Sequence, residues 1–479
     1  MSSEACGHNN SDRVKAAIGR RGFFAVGAGV VAGALMGTGA QAAASDLNSL
    51  RAAVRGRVFL PGDSGFGQMS KAWDLSVNQA VRAVVEVADV EDARSLIRFG
   101  RENGIAIAVQ PNGHGASEAL NGTILVRTRS MNDVRIDPRT RSARVGAGVS
   151  WGPVQEAGAP FGLMGVSGSS PSVGVTGYTL GGGLSWFSRR FGWAAESVTA
   201  YEVINADSEI VRATEFSEPE LFWSLRGGGG DYALVTGLEF ALHPVTSLYG
   251  GTMLWPAARA DDVLTAFREV TAMAPDELTV WCALLNLPGM EPAVGIYSTY
   301  LGSSDPRHTW LQPFERITGR VSDSHRMLRS VELGTITDEP TRPSPLIQRG
   351  ALLTSIDHPS ISEIFAKPVE PLAFIQIRHL GGALSRGSDT AAGLVTDPYF
   401  IVLGGLPMAG QADATIRQRI AEDLDTLAPI SSGRTPFTFL SSEQTAAEAF
   451  DSPTLTRLQE AKRRYDPHGV FRSNHPVLA

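Results

Sequence analysis

The sequence predicts an α+β protein in two parts, and three observations carry that expectation. Up to about residue 245, short β-type runs alternate with amphipathic helical stretches. From residue 246 to 440 the texture changes to longer apolar strands set between amphipathic helices. Two glycine-rich loops interrupt the first part at strand ends, where a backbone at positive φ can come close to a ligand. Sheets with one apolar face are covered most simply by helices. At 479 residues the chain has length for two or three such units. A net charge of −7 with interspersed signs forms no basic stripe, so nucleic acid is not an expected partner. The cysteines are Cys6 and Cys282, and the second lies in an apolar run as a small core residue would.

Taken in order, Leu60-Pro-Gly-Asp63 reads as a turn before a helix containing Trp73 and Asn78. Ala83–Val87 is a strand, and Val90–Phe99 has helical apolar spacing with acids in its first turn. Ile105–Val109 is a strand ending in Gln110-Pro-Asn-Gly-His-Gly115. Strands at 122–127 and 142–147 precede a helix near Trp151 to Ala157. The second loop runs from Gly165 to Gly183, and successive backbone N–H groups in such loops form a nest for phosphate oxygens. Residues 198–205 and 209–213 read as a hairpin, 220–226 as a short helix stopped by four glycines, and 235–242 as a strand. In the second part, helices at 259–273 and 306–317 alternate with strands at 280–285, 293–300, 373–380 and 399–403. Asp305 before Pro306 is a helix-start signal. The Pro-rich stretch 338–345 is either a loop at a site mouth or a surface excursion. A helix at 454–464 ends before Tyr465-Asp-Pro467.

Five signatures occur in order: the Gly-His-Gly loop, the loop ending Leu-Gly-Gly-Gly183, Leu221–Gly230, Ile377–Leu384 and Tyr465–Asn474. Together they resemble the vanillyl-alcohol oxidase/p-cresol methylhydroxylase (VAO/PCMH) superfamily of FAD-linked oxidoreductases, in its berberine-bridge-enzyme-like branch. The resemblance implies a PCMH-type FAD-binding domain over 46–245, an antiparallel substrate-binding sheet over 246–440 with helices on one face and a roof above the flavin on the other, and a segment 441–479 returning to the discontinuous FAD domain. It implies FAD contacts from Pro111, Asn112, Gly113, His114, Gly115, Gly168, Ser169, Ser170, Gly174, Gly177, Tyr178, Gly181, Gly182, Val235 and Asn474. His114 stands where relatives carry the covalent histidyl tether. Ser170 stands where many carry a second, cysteinyl bond, which argues for single attachment. Asp231-Tyr-Ala233 replaces the usual Asn-Phe-Gly. Thr435–Phe439 lacks the Tyr-X-Asn segment whose tyrosine serves sugar oxidation, which turns the expectation away from carbohydrate.

Hydride removal from a C–H bond also needs a base for the accompanying proton. Tyr178, His379, Asp357 and Glu443 are weak candidates, and a neutral amine would need no strong base. A roof with Trp281, Phe374 and Phe437 would favour an aromatic or otherwise hydrophobic small-molecule amine or alcohol, with oxygen or an electron acceptor as second partner. The alternative is a non-catalytic flavin-fold protein that binds a small hydrophobic ligand. No spaced Cys/His set for a metal is present. Residues 1–45 have a secretory layout: Arg13, Lys15, Arg20 and Arg21, then an apolar Gly/Ala-rich stretch and the small-residue run Ala40 to Ala44. The Arg20-Arg21 pair resembles a twin-arginine signal, which implies a bacterial, exported protein that meets a membrane only during export.

Overall fold

Ala83–Glu86, Ile107–Val109 and Ile124–Arg127 are short aliphatic runs that need cover on both faces, and they lie side by side as a parallel sheet. This is a computed structural model, and it describes residues 47–302, 305–407 and 413–478. The leader expected over 1–45 lies outside the described residues. Arg57–Phe59 closes one sheet edge antiparallel to Ala83–Glu86. At the other edge the C-terminal tail joins the sheet: Ile107 N donates to Val470 O at 2.7 Å and Arg472 N donates to Ile107 O at 2.9 Å. Helix Val90–Asn103 covers a face with Ala93, Leu96, Ile97 and Phe99; Asp89 caps its start through Asp92 N, and Gly104 at φ 62° ends it.

A five-stranded antiparallel sheet follows, in the order Val134–Asp137, Ser142–Gly146, Leu234–Ala241, Val198–Ile204, Ile210–Ala213. Its core includes Trp151, Tyr201, Tyr232 and Leu238. Among the described residues the largest sheet has eight strands, all antiparallel. Its central run is Tyr249–Pro256, Ala293–Tyr300, Leu278–Leu285, Phe374–His379, Tyr399–Gly405, Ile347–Leu353.

The period of two splits this sheet into faces. Val280, Cys282, Leu284, Ile375, Ile377, Ile401 and Leu403 pack with helices Ala260–Met273, Pro359–Ala366 and Asp413–Leu427. Trp281, Ala283, Leu285 and Phe374 point the other way, as do Phe400 and Val402. The helix-covered face packs the largest core; on the other face Trp281, Ala283 and Leu285 are buried as well, in a cluster with Trp186, Phe187 and Leu333. Each fully buried aliphatic side chain on the covered face contributes about 1.5–3 kcal/mol relative to exposure.

Three expectations need correction. No helix contains Trp73 and Asn78: the helix there is Phe66–Met69, and Trp73 lies in a connecting segment. The 306–317 helix is two pieces, a 3-10 turn at Pro306–His308 and a short helix Gln312–Glu315. Pro313 has no N–H to continue a helix from the first piece, so it starts the second. Asp305 does cap the first turn, accepting from Arg307 N at 2.9 Å. The second half of the 165–183 loop contains helix Val175–Leu180.

Candidate active site at the two glycine loops

The parallel strands end on one edge at Val87, Thr128 and Gln110, and the first glycine loop begins there. In open α/β sheets ligands sit outside the carboxyl ends of the strands. Gly113 adopts φ 91°, and a Cβ on it would come 2.7 Å from Gln110 Nε2 and 3.0 Å from Ala72 Cα. Only glycine fits that turn. The loop is held from outside by Trp73 N donating to Asn112 O at 3.0 Å and Asp74 N donating to Gly113 O at 3.2 Å. The Trp73 ring stacks on the His114 imidazole with centroids 4.3 Å apart. His114 Nε2 is buried without a hydrogen-bond partner among the described residues. Burial lowers the imidazole pKa to about 4, so the ring is neutral at physiological pH.

Arg127 fixes the segment that carries Trp73. Its guanidinium donates to Gln110 O at 2.8 Å, to Lys71 O at 2.6 Å and twice to Met69 O at 2.9 and 3.1 Å. Every acceptor is a backbone carbonyl, and burial lowers the Arg127 pKa to about 10. Arg127→Met strands those carbonyls, so it is expected to lower stability by about 3 kcal/mol or more. Urea midpoints of the two proteins check this, and an unchanged midpoint would remove the anchoring role.

The second loop docks on the first: Asn112 Nδ2 donates to Ser172 O at 2.7 Å. A Cβ on Gly174 would lie 3.6 Å from Asn112 Nδ2, so the loops touch there as well. Ser170 Oγ is 2.9 Å from Ser172 Oγ. Gly183, at φ 77°, lets the chain close on Tyr178, whose Cε1 would lie 2.5 Å from a Cβ there. The Tyr178 ring meets Trp151 edge-on at 5.7 Å. Its hydroxyl is buried without a well-aligned bond, because nearby Ser185 Oγ donates to Ser167 O instead. Burial pushes the Tyr178 pKa up, so the phenol keeps its proton and is poorly suited as a base.

Asn474 braces the first loop from the tail. Its Oδ1 accepts from Ser117 N at 2.9 Å and Gln79 Nε2 at 3.1 Å, and its Nδ2 donates to Gln110 Oε1 at 3.2 Å. The tail is held by Asp231, which accepts from Ser473 N at 2.7 Å and Val477 N at 2.8 Å. Lys462 Nζ adds bonds to Asp231 O at 2.7 Å and Phe471 O at 2.8 Å. The residue that departs from the Asn-Phe-Gly pattern therefore has work a carboxylate can do. Val235 lies in the core strand opposite Val203.

On the roof face, Trp281 stacks on Trp186 at 3.5 Å, with Phe374 and Tyr297 in the same apolar cluster. Phe437 does not join it. That ring stacks on Phe450 at 5.3 Å, while Phe439 lies over the Arg378 guanidinium at 4.7 Å. His379 is also displaced from expectation, because it has the parity of Ile375 and Ile377. It meets Tyr399, whose hydroxyl is 2.9 Å from Thr271 on the covering helix, and its Nε2 is 3.0 Å from Arg189 Nη1. Glu443 is exposed and paired with Arg417, and Asp357 is exposed beside Arg268. None of these is brought to the loops. The 338–345 stretch is: Ser344 N donates to Trp73 O at 3.1 Å, and Leu75 N donates to Ser344 O at 3.1 Å. Sequence reasoning missed Trp73 and Arg378. Gly148-Val-Ser-Trp-Gly152 has nucleophile-elbow spacing, but Ser150 is ordinary extended backbone (φ −96°, ψ 169°).

Residues 81–214, which contain both loops, match the family profile described as the FAD binding domain. Over 460 residues the chain is 24% identical to (R)-6-hydroxynicotine oxidase of Paenarthrobacter nicotinovorans, covering 88% of this chain and 97% of that protein. Along nearly its whole length the chain is related to VAO/PCMH-type FAD-binding oxidoreductases. The oxidoreductase is also 24% identical over 440 residues to a FAD-linked oxidoreductase of Dictyostelium discoideum, covering 89% of this chain and 96% of the other. The crystal structure of 6-hydroxy-D-nicotine oxidase from Arthrobacter nicotinovorans superposes with a TM-score of 0.77 at 23% identity, over 88% of this chain and 97% of that one. Physcomitrella patens BBE-like 1 gives 0.81 at 18% identity, over 90% and 99%. The fold is thus a PCMH-type FAD-binding domain with a separate antiparallel substrate domain. The protein is an enzyme that passes electrons from a substrate to flavin, which oxygen or another acceptor reoxidises. The two loops fit that cofactor, since Trp73 Nε1, His114 Nε2, Thr176 Oγ1 and Tyr178 OH are buried polar atoms left unsatisfied by the described residues.

Proposed function

We propose that the oxidoreductase holds FAD through one covalent bond, to His114, and oxidises a small aromatic or otherwise hydrophobic amine or alcohol. The observation that carries the attachment is the neutral His114 imidazole with its buried, unpartnered Nε2. A neutral ring keeps the lone pair that a bond to carbon requires. Ser170 offers no thiolate for a second bond, and its hydroxyl is engaged by Ser172. Pro111, Asn112, Gly113, Gly115, Gly168, Ser169, Gly174, Gly177, Gly181 and Gly182 would line the cofactor, with Asn474 bracing the first loop. Bound FAD supplies the hydride acceptor.

On the chain's side, the Trp281, Phe374 and Tyr297 roof supports an apolar substrate and excludes water from the reacting carbon. Burial raises the Tyr297 pKa to about 12, so this phenol stays protonated beside the roof. With Tyr178 protonated too, a substrate that binds already neutral, such as an amine, suits this site best. Residues 1–45 are assigned as a twin-arginine-type signal that exports the folded, loaded protein from a bacterial cytoplasm.

The test uses exported mature protein, whose N-terminus should follow one of Ala42 to Ala44. After acid precipitation the yellow colour is expected in the pellet, and aromatic amines or alcohols are expected to bleach the flavin faster than oligosaccharides do. Colour in the supernatant would remove the tether; faster turnover of oligosaccharides would remove the substrate class.

A further inference from the structure

The roof carries a cation that has no ion-pair partner among the described residues. Arg378 lies on strand Phe374–His379 with the parity of Phe374, on the face opposite the covering helices. Its guanidinium is clamped between two rings, 4.0 Å from the Trp281 centroid and 4.7 Å from that of Phe439. Nε donates to Gln376 Oε1 at 2.7 Å, which fixes the plane of the fork. Among the described residues neither terminal nitrogen has a hydrogen-bond acceptor and no carboxylate forms an ion pair with Arg378. Glu339, exposed on the 338–345 stretch, acts on it only through space. Burial lowers the Arg378 pKa to about 10, leaving it charged at neutral pH. The residue is half-buried, so its terminal nitrogens stay accessible to a ligand, and a planar, oriented fork is suited to a carboxylate. The rings beside it suit an aromatic body, and a protonated amine would be repelled.

We propose that Arg378, oriented by Gln376, recognises the substrate, and that the substrate is an anion: a small aromatic compound bearing a carboxylate besides the alcohol or amine that is oxidised. This rests on the roof facing the flavin, as in the function proposed above. Trp281 and Phe439 hold the guanidinium flat, while Phe374 and Tyr297 take the aromatic body. Discrimination follows from charge: a neutral isostere leaves the guanidinium unmatched.

The probes are benzoate and its neutral isostere benzamide, titrated into the holoenzyme at low salt and followed by the flavin difference spectrum. Benzoate is expected to bind about tenfold tighter or more. Arg378→Met should abolish that preference, and Arg378→Lys, which keeps the charge but not the fork, should retain part of it. Glu339→Gln lies on the exposed rim and so leaves the fold intact; it should tighten benzoate about twofold to fivefold and leave benzamide unchanged. Equal binding of the two probes, a preference that survives Arg378→Met, or no response to Glu339→Gln overturns the proposal. So does an Arg378→Met spectrum altered before any ligand is added with the probe preference intact, which would assign the guanidinium to the cofactor. An enzyme that keeps its flavin but oxidises benzyl alcohol faster than 4-(hydroxymethyl)benzoate loses this inference and keeps the proposed function. A protein without flavin loses that function, and quenching of Trp281 fluorescence by benzoate then decides Arg378 alone.

Discussion

His114→Ala is expected to release all flavin into the supernatant of an acid precipitation, where the unaltered protein is expected to keep it in the pellet. The effect should be all or none, because the site offers no second nucleophile of comparable reactivity. Cys282, the cysteine among the described residues, lies on the helix-covered face of the large sheet, and burial pushes its thiol pKa up. Ser170 is a hydroxyl already engaged by Ser172. The variant should still fold and bind FAD reversibly, since the loops are held by main-chain contacts at Asn112 and Gly113 that do not involve the imidazole. Its kcat/KM should fall about tenfold or more, because a cofactor held only by contacts is less well oriented. Trp73→Ala, which removes the ring stacked on His114, should slow attachment without abolishing it. Yellow in the His114→Ala pellet would place the bond elsewhere.

What could be read from the sequence was what local chemistry dictates. Gly113 and His114 declare themselves because a tight turn at positive φ needs glycine whatever lies around it. The alternation in Leu278–Leu285 and the capped helix Val90–Asn103 are likewise local patterns. What could not be read depends on distant partners. Trp73 looked helical because its amide and carbonyl are satisfied by Asn112 and Ser344, which no local window contains. The strand Ile347–Leu353 was missed because Gly350 interrupts its apolar run, yet a Cβ there would meet the Phe400 ring at 2.5 Å. His379 and Arg378 are neighbours in sequence, and period two sends them to opposite faces. Nothing local says which face is the roof. Phe437 and Phe439 pose the same ambiguity two residues apart, and the fold assigns only the second to Arg378.

Acidification should unfold the protein in two stages, the first governed by histidine. Burial lowers the pKa of His243 from 6.5 to about 4, with Arg190 adding to the effect. His243 is stacked on Phe191 at 3.9 Å, and its Nε2 is 3.1 Å from Ser197 Oγ. Burial also depresses His379, helped by Arg189, and His475, whose Nδ1 is 3.1 Å from Gln444 O. The sign follows from which state takes up protons first. Above pH 6.5 these imidazoles are neutral both folded and unfolded, so they add no pH dependence. Between 6.5 and about 4 the unfolded chain binds their protons while the folded chain does not, so stability falls as pH falls. A folded value near 4 costs about 3 kcal/mol for His243 alone by the bottom of that window, a large share of the ~5–15 kcal/mol that holds a folded protein. Glu196 and Asp423, both raised by burial, act in the opposite sense and blunt the fall. The second stage lies lower. Burial pushes Asp323 up, but hydrogen bonds from the His325 side chain and backbone outweigh it and hold the carboxyl at about 2, so its contribution is lost only between 3.8 and about 2. Urea midpoints at constant ionic strength should therefore drop steadily from pH 6.5 to 4.5. His243→Gln should flatten that slope by one histidine's share, and a variant whose slope runs parallel to the unaltered protein would show that His243 titrates normally in the fold.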